Sequence, residues 1–216
     1  MLRSQHLAFA YAKNAPSLAF PDVELGRGEQ LLVLGPSGSG KSTLLALWAG
    51  LLTPSGGTVT VDDVEVSSLS GRARDRWRSR QVGLVFQRPR LLHTQDLRSN
   101  IALQRKLAGL QPDEDLINRS MQRLEIYPLA NKLPQHCSLG EQQRAGILRA
   151  LVHSPSLILA DEPTSALDRS NAERVTTLLQ EEAVRSGATL VVVTHDERIA
   201  DLFSRKLELT GTALAA

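Results

Sequence analysis

The chain has 216 residues, a length that holds one domain, or one domain with a lobed insertion, and that can bury a core without staples. Lys and Arg total 25 against 23 Asp and Glu, a formal charge of +2, and aromatics make up 4%. That balance and that scarcity argue against bulk electrostatic attraction to nucleic acid or anionic membrane, and against a stacking platform for single strands. The one cysteine, Cys137, excludes an intrachain disulfide and a multi-cysteine zinc site, and it fits a reducing compartment.

No basic-plus-apolar leader opens the chain, and the longest apolar stretch, Leu44 to Leu52 with Gly50 inside it, falls well short of the ~18 residues of a spanning helix. Membrane association is therefore expected to run through a partner. The first thirty residues and Thr58–Val66 read as exposed antiparallel strands with tight turns, since Val59, Val61, Val64 and Val66 sit among Gly, Asp and Thr. Leu31–Leu34, Val82–Phe86, Leu157–Ala160 and Leu190–Val193 are short apolar runs with helix-compatible stretches between them. That alternation predicts buried parallel strands with crossover helices, an α/β fold. Residues 88–155 show no strand pattern. There Pro89, Pro112, Pro128 and Pro134 separate helical segments, and Asp113 is expected to cap a helix running to about Leu124. The expected organisation is one domain over 1–216, with a core from 1–87 and 156–216 and a helical subdomain at 88–155.

Gly35-Pro36-Ser37-Gly38-Ser39-Gly40-Lys41-Ser42 fits the phosphate-loop pattern G-x-x-x-x-G-K-[ST], between a predicted strand and a helix-forming run from Thr43. Glycines let the backbone wrap a polyphosphate, and the helix start adds positive potential. Residues 35–43 are thus candidate polyphosphate ligands, with Lys41 reaching the β/γ-phosphates and the Ser42 hydroxyl ligating Mg²⁺. The competing interpretation is a Gly/Ser-rich turn that happens to precede a lysine. The run Leu157–Ala160 ends in Asp161-Glu162. Asp161 would hold Mg²⁺. Glu162, pointing elsewhere by strand alternation, would polarise the attacking water as general base. Alone, such an acidic strand end is commonly just solvated; beside a phosphate loop it points to catalysis.

Further motifs follow in a recognisable order. Cys137-Ser138-Leu139-Gly140-Glu141-Gln142-Gln143-Arg144 resembles the signature motif of ABC-type ATPases, Ser165-Ala166-Leu167-Asp168 their D-loop, Gln87 their Q-loop glutamine and His195 their switch histidine. Tyr11 sits where that family places an aromatic against adenine, although a tyrosine at a strand end is often only packing. The resemblance covers nearly the whole chain. It implies a P-loop NTPase (RecA-like) core with an N-terminal antiparallel β-subdomain and an inserted helical subdomain. It also implies ATP hydrolysis, with Glu162, His195 and Gln87 catalytic and with Ser42, Gln87 and Asp161 on the metal.

Ser138-x-x-Glu141 is also a capping box, so a helix should start there with free N–H groups and a positive dipole end. One chain then owns two phosphate-binding helix starts. The resemblance implies that two subunits pair head to tail, with Ser138, Gly140, Glu141 and Asp168 of one completing the ATP site of the other, so that a homodimer sandwiches two ATP. Two positions depart from the family. Cys137 stands for a packing leucine, and Leu139 stands for a glycine that allows close approach to the γ-phosphate. Leu139 is expected to weaken closure or slow turnover without abolishing it. His6, His93 and His153 sit in no motif and are expected at the surface or in packing, while His136 flanks the signature as spacing.

Arg72, Arg74, Arg76, Arg78 and Arg80 alternate around Trp77, and on a helix Arg72, Arg76 and Arg80 share a face. Nucleic acid, lipid phosphates and an acidic partner are functional interpretations; a solvated face with Trp77 tucked inward is the plainer one, and no nucleic acid is expected. Within the family, Arg78–Gln87, Leu91-Leu92, Ser99–Leu103, Glu141 and Ala160–Thr164 resemble the lipoprotein-release and macrolide-export ATPases. The resemblance implies a subunit peripheral on the cytoplasmic face of the inner membrane that energises an integral-membrane permease. The short tail Thr210–Ala216 argues against the larger sugar-import type. Other functions weighed are a soluble ABC-type ATPase on ribosome or nucleic acid, and a regulatory module that binds ATP with little hydrolysis.

Overall fold

In chain order the elements are β1 (Leu2–Phe9), β2 (Ser17–Ala19), β3 (Val23–Leu25), β4 (Gln30–Leu34), α1 (Lys41–Trp48), β5 (Gly56–Val61), β6 (Val64–Glu65), α2 (Gly71–Gln81), β7 (Val82–Phe86), α3 (Leu97–Leu107), α4 (Glu114–Arg123), α5 (Leu139–Leu151), β8 (Leu157–Asp161), α6 (Arg169–Ser186), β9 (Thr189–Thr194), β10 (Lys206–Glu208) and β11 (Ala213–Ala215). The computed structural model describes residues 2–12, 16–165, 167–210 and the backbone of 213–215. Met1, Lys13, Asn14 and Ala15, Ala166 in the D-loop motif, and Gly211, Thr212 and Ala216 in the tail lie outside the described residues.

The central sheet runs β10-β4-β9-β8-β7, parallel throughout. Its apolar runs face both ways. Leu31, Val33, Leu157, Leu159, Val191 and Val193 join one core cluster with α1 and the N-terminal strands. Leu32, Ile158, Ala160, Leu190 and Val192 join another with α3 to α6. The period of two thus builds two cores from one set of strands, which is why these strands are apolar continuously. Each fully buried Leu, Ile or Val contributes about 2 kcal/mol.

Over the first core lies a second sheet, ordered β11-β2-β1-β5-β6, with β3 also paired to β1; all of its pairings are antiparallel. Alternation in β1 breaks at His6, whose φ of 50° accompanies a register shift against β5 between Gln5 and Ala8. The strands β10 and β11 lie beyond the apolar runs that announce the other strands.

The helices α3, α4 and α5 fall between β7 and β8. Asp96 caps α3 by accepting from Ser99 N at 2.7 Å, and Asp113 caps α4 by accepting from Leu116 N at 2.9 Å. A Cβ on Gly83 would collide with the Ala150 carbonyl oxygen, so glycine in β7 lets α5 lie directly against it. On α2, Trp77 is buried, while Arg74, Arg78 and Arg80 hydrogen bond to Thr53, to Asp75 and Gly50, and to Ala108.

His153 is buried, not at the surface, and its Nε2 donates to the Val82 carbonyl at 3.2 Å. Burial, reinforced by Arg105, pushes its pKa down to about 4. An unfolded histidine titrates at about 6.5, so between these values only the unfolded chain gains the proton and stability falls on acidification. The largest loss is about 3 kcal/mol. Denaturant midpoints measured from pH 7 to 4.5 are expected to fall for the wild type, and to fall less for His153→Gln.

Candidate active site

The loop between β4 and α1 turns on glycines. Gly38 and Gly40 have φ of 81° and 92°, a region that a side chain would strain. Gly40 is the N-cap of α1 and offers no side-chain cap, so the helix start keeps backbone N–H groups for an anion. Lys41 is 5% exposed. Its Nζ donates to the Gly35 and Pro36 carbonyls at 2.8 and 2.9 Å and lies 3.7 Å from Glu162 Oε1.

Pairing of β8 with β7 sets Asp161 opposite Phe86, which places Gln87 at the adjoining strand end. Ser42 Oγ donates to Asp161 Oδ1 at 2.9 Å, joining the first residues of α1 to the acidic strand. Burial raises the Asp161 pKa, and the Ser42 hydrogen bond opposes that shift.

Glu162 leaves the line of Asp161 for a reason other than strand alternation. β8 ends at Asp161, and Glu162 adopts a left-handed φ of 50° while its N–H donates to the Val193 carbonyl at 2.8 Å. The side chain turns toward β9. Thr194 Oγ1 donates to Glu162 Oε2 at 2.8 Å, and His195 Nδ1 stands 3.0 Å from Oε1 and 2.9 Å from Oε2. A carboxylate only accepts, so Nδ1 carries the proton. Thr194 was not among the candidate residues; its only sequence signal is a hydroxyl one position before the histidine.

These groups border a cavity of about 700 Å³ lined by Tyr11, Leu18, Ser37, Gly38, Gly40, Lys41, Ser42, Thr43, Gln87, Glu162, Ser165 and His195. Tyr11 Oη and Thr43 Oγ1 are hydrogen bonded at 2.6 Å. Tyr11 is 68% exposed, and its ring meets Phe9 edge-on at 4.9 Å. Packing and presentation of a face are therefore both features of this tyrosine.

Ser138, Gly140, Glu141 and Asp168 are not among the residues that line this cavity. The capping box is formed: Ser138 Oγ accepts from Glu141 N at 3.3 Å, and Glu141 Oε2 accepts from Ser138 N at 2.6 Å. These bonds lower the Glu141 pKa. Cys137 packs inward with Sγ 3.6 Å from the Leu133 carbonyl, and burial raises its pKa. Leu139, first residue of α5, is 47% exposed. Asp168 caps α6, accepting from Asn171 N at 2.9 Å, which with Ser170 and the Asn171 amide holds its carboxyl below the usual range.

A family model described as ABC transporter matches residues 20–165, about two thirds of the chain. The chain belongs to the ABC transporter family. It is 38% identical over 222 residues to the lipoprotein-releasing system ATP-binding protein LolD of Legionella pneumophila (strain Lens), a match spanning 100% of this chain and 97% of that one. With LolD of Shewanella frigidimarina the identity is 34% over 214 residues, 97% and 90% of the two chains. Among solved structures, the ATP-binding cassette MJ0796 as a dimer in a post-hydrolysis state bound to ADP and Pi superposes with a TM-score of 0.86 at 30% identity, covering 97% of this chain and 94% of that one. CbiO1 from Clostridium perfringens, described as part of the ABC transporter complex cbiONQ, gives 0.81 at 28% identity over 93% and 80%. The expected α/β cassette fold and ABC membership are therefore borne out: the chain is an ATPase subunit of the ATP-binding cassette type, and it binds nucleotide.

Proposed function

We propose that this subunit hydrolyses ATP with Mg²⁺ in the cavity at Lys41, as one half of a homodimer that drives a membrane permease from the cytoplasmic face of the inner membrane. The observation that carries the reading is the convergence of Lys41, Thr194 and His195 on Glu162, beside the Ser42–Asp161 pair. Lys41 and the N–H groups of residues 35–43 hold the phosphates, with Tyr11 against the base. Glu162 orients and deprotonates the attacking water. His195 steadies charge on the transferred phosphoryl group; because Nδ1 serves Glu162, the phosphate contact falls to Nε2.

Ser42, Asp161 and Gln87 offer the hard oxygen donors that suit Mg²⁺, and the existing Ser42–Asp161 hydrogen bond shows that two of them already meet. When bound, that ion would neutralise charge on the β- and γ-phosphates.

The signature residues stand outside the cavity, yet Ser138 opens a capped helix of 13 residues with its start exposed. Pairing two copies head to tail supplies that start, with Gly140, Glu141 and Asp168, to the partner's ATP. MJ0796 is itself a dimer in its ADP and Pi state. Leu139 at the joint would slow closure.

Among the described residues no helix is long and apolar enough to cross a membrane, so force must pass to another chain. A groove of about 620 Å³ suits that contact: Val82, Leu84, Phe86 and Leu103 give it apolar walls, and Arg76, Arg78 and Arg149 rim it. It adjoins the strand that ends at Gln87, so occupancy there can reach the nucleotide cavity. The LolD relatives favour a release-type permease. Capture of the subunit from membranes in mild detergent should bring down, in stoichiometric amount, a permease with few spans and a large extracytoplasmic domain. A many-spanning permease would overturn the release-type reading, and reproducible recovery of ribosomal proteins alone would overturn the permease reading.

A further inference from the structure

Behind Glu162 and His195 lies a buried carboxylate with no place in the scheme above. The side chain of Asp196 is 5% exposed. Its Oδ1 accepts Arg198 Nε at 2.7 Å and Arg198 N at 3.1 Å, and its Oδ2 accepts Arg198 Nη2 at 2.8 Å and Thr164 Oγ1 at 3.0 Å. The same Nη2 also donates to the Leu167 carbonyl at 3.1 Å. Thr164 is wholly buried two residues after Glu162, and Leu167 precedes Asp168.

The chain of contacts continues to the cavity. Asp196 N donates to Thr194 Oγ1 at 3.0 Å, and Thr194 spends its one hydroxyl proton on Glu162 Oε2 at 2.8 Å. Leu167 N donates to the Thr164 carbonyl at 3.0 Å, and Ser165 Oγ to the Glu162 carbonyl at 3.1 Å. A closed ring therefore runs Glu162, Thr194, Asp196, Arg198, Leu167 and, by the Leu167–Thr164 hydrogen bond, back along the chain to Glu162. Arg198 is partly exposed and is not among the residues that line the cavity.

We propose that Arg198 is a positioning residue for hydrolysis: it clamps Leu167, beside Asp168, onto Asp196 at the end of the segment from Thr194, and so fixes Glu162 against His195. This rests on the reading that the cavity hydrolyses ATP. An arginine suits the place because its planar fork covers both oxygens of Asp196 and still has a proton for Leu167, which an ammonium point charge cannot match. The ring also runs from the nucleotide cavity to the D-loop, so a shift of one subunit's D-loop against its partner would be felt at Glu162. Arg198 itself is not among the residues that line the nucleotide cavity.

The test is steady-state ATPase kinetics on the full chain, with nucleotide affinity measured in parallel. Arg198→Ala should lower kcat by about 10- to 100-fold, the upper end being the scale of a 1 Å misplacement of catalytic groups, with KM for ATP and nucleotide affinity within about twofold of wild type. Arg198→Lys should recover only part of kcat. Arg198→Gln, which keeps a donor, should show a fall between those two and serves where Arg198→Ala does not fold. Unchanged kcat in an active background, or a rise in KM that matches the fall, would overturn the positioning role alone. A wild type that hydrolysed no ATP would overturn both this inference and the hydrolytic reading beneath it.

Discussion

Glu162→Gln is expected to cut ATP turnover by about 100- to 10,000-fold while nucleotide still binds, the range over which a positioned general base contributes. Gln has nearly the same shape, so the Thr194 hydroxyl at 2.8 Å keeps an acceptor. What disappears is the capacity to take a proton from water. The amide also ends the carboxylate's attraction for Lys41 at 3.7 Å and can present an N–H to His195 where an oxygen stood. Steady-state phosphate release reads the first effect. Unchanged release would remove Glu162 from the chemistry and return the cavity to a binding role, the regulatory-module alternative weighed from the sequence.

Lys41→Ala should act at the earlier stage. Charge-assisted hydrogen bonds of a buried ammonium to phosphate oxygens are worth about 2–3 kcal/mol, so ATP affinity should fall by about 30- to 150-fold, with turnover falling as well. Lys41 is only 5% exposed and is aimed by two loop carbonyls at 2.8 and 2.9 Å. Its removal also takes the cation away from Glu162. Calorimetric titration with ATP separates the two contributions, because Glu162→Gln leaves affinity near wild type and Lys41→Ala does not. Equal affinities for wild type and Lys41→Ala would contradict the placement of the phosphates.

The parts legible in the sequence are those that local rules determine. The phosphate loop needs glycine at Gly40, where φ is positive, and the motif fixes it there; Gly38, also at positive φ, stands at an open position of the pattern. The buried strands show as apolar runs because both faces are covered, and the Ser138–Glu141 box shows because its partners are three residues apart. What was hidden depends on distant pairing. The left-handed turn at Glu162 arises where β8 ends against β9, and a non-glycine residue gives no sign of it. The Thr164–Asp196–Arg198 cluster joins residues more than thirty positions apart, and each of them reads as an ordinary polar residue. β10 is only three residues long and owes its pairing to β4 rather than to its own pattern. His153 resembled any other motif-free histidine until α5 and β7 closed over it.

The account turns on two copies sharing each ATP, since one chain's cavity lacks its own signature residues. Sedimentation of the purified Glu162→Gln subunit, with and without Mg²⁺ and ATP, measures this most directly. The account predicts monomers without nucleotide and a stable dimer with it, because the variant holds ATP that the wild type would split. A variant that binds ATP and stays monomeric at every concentration tested would contradict the shared site.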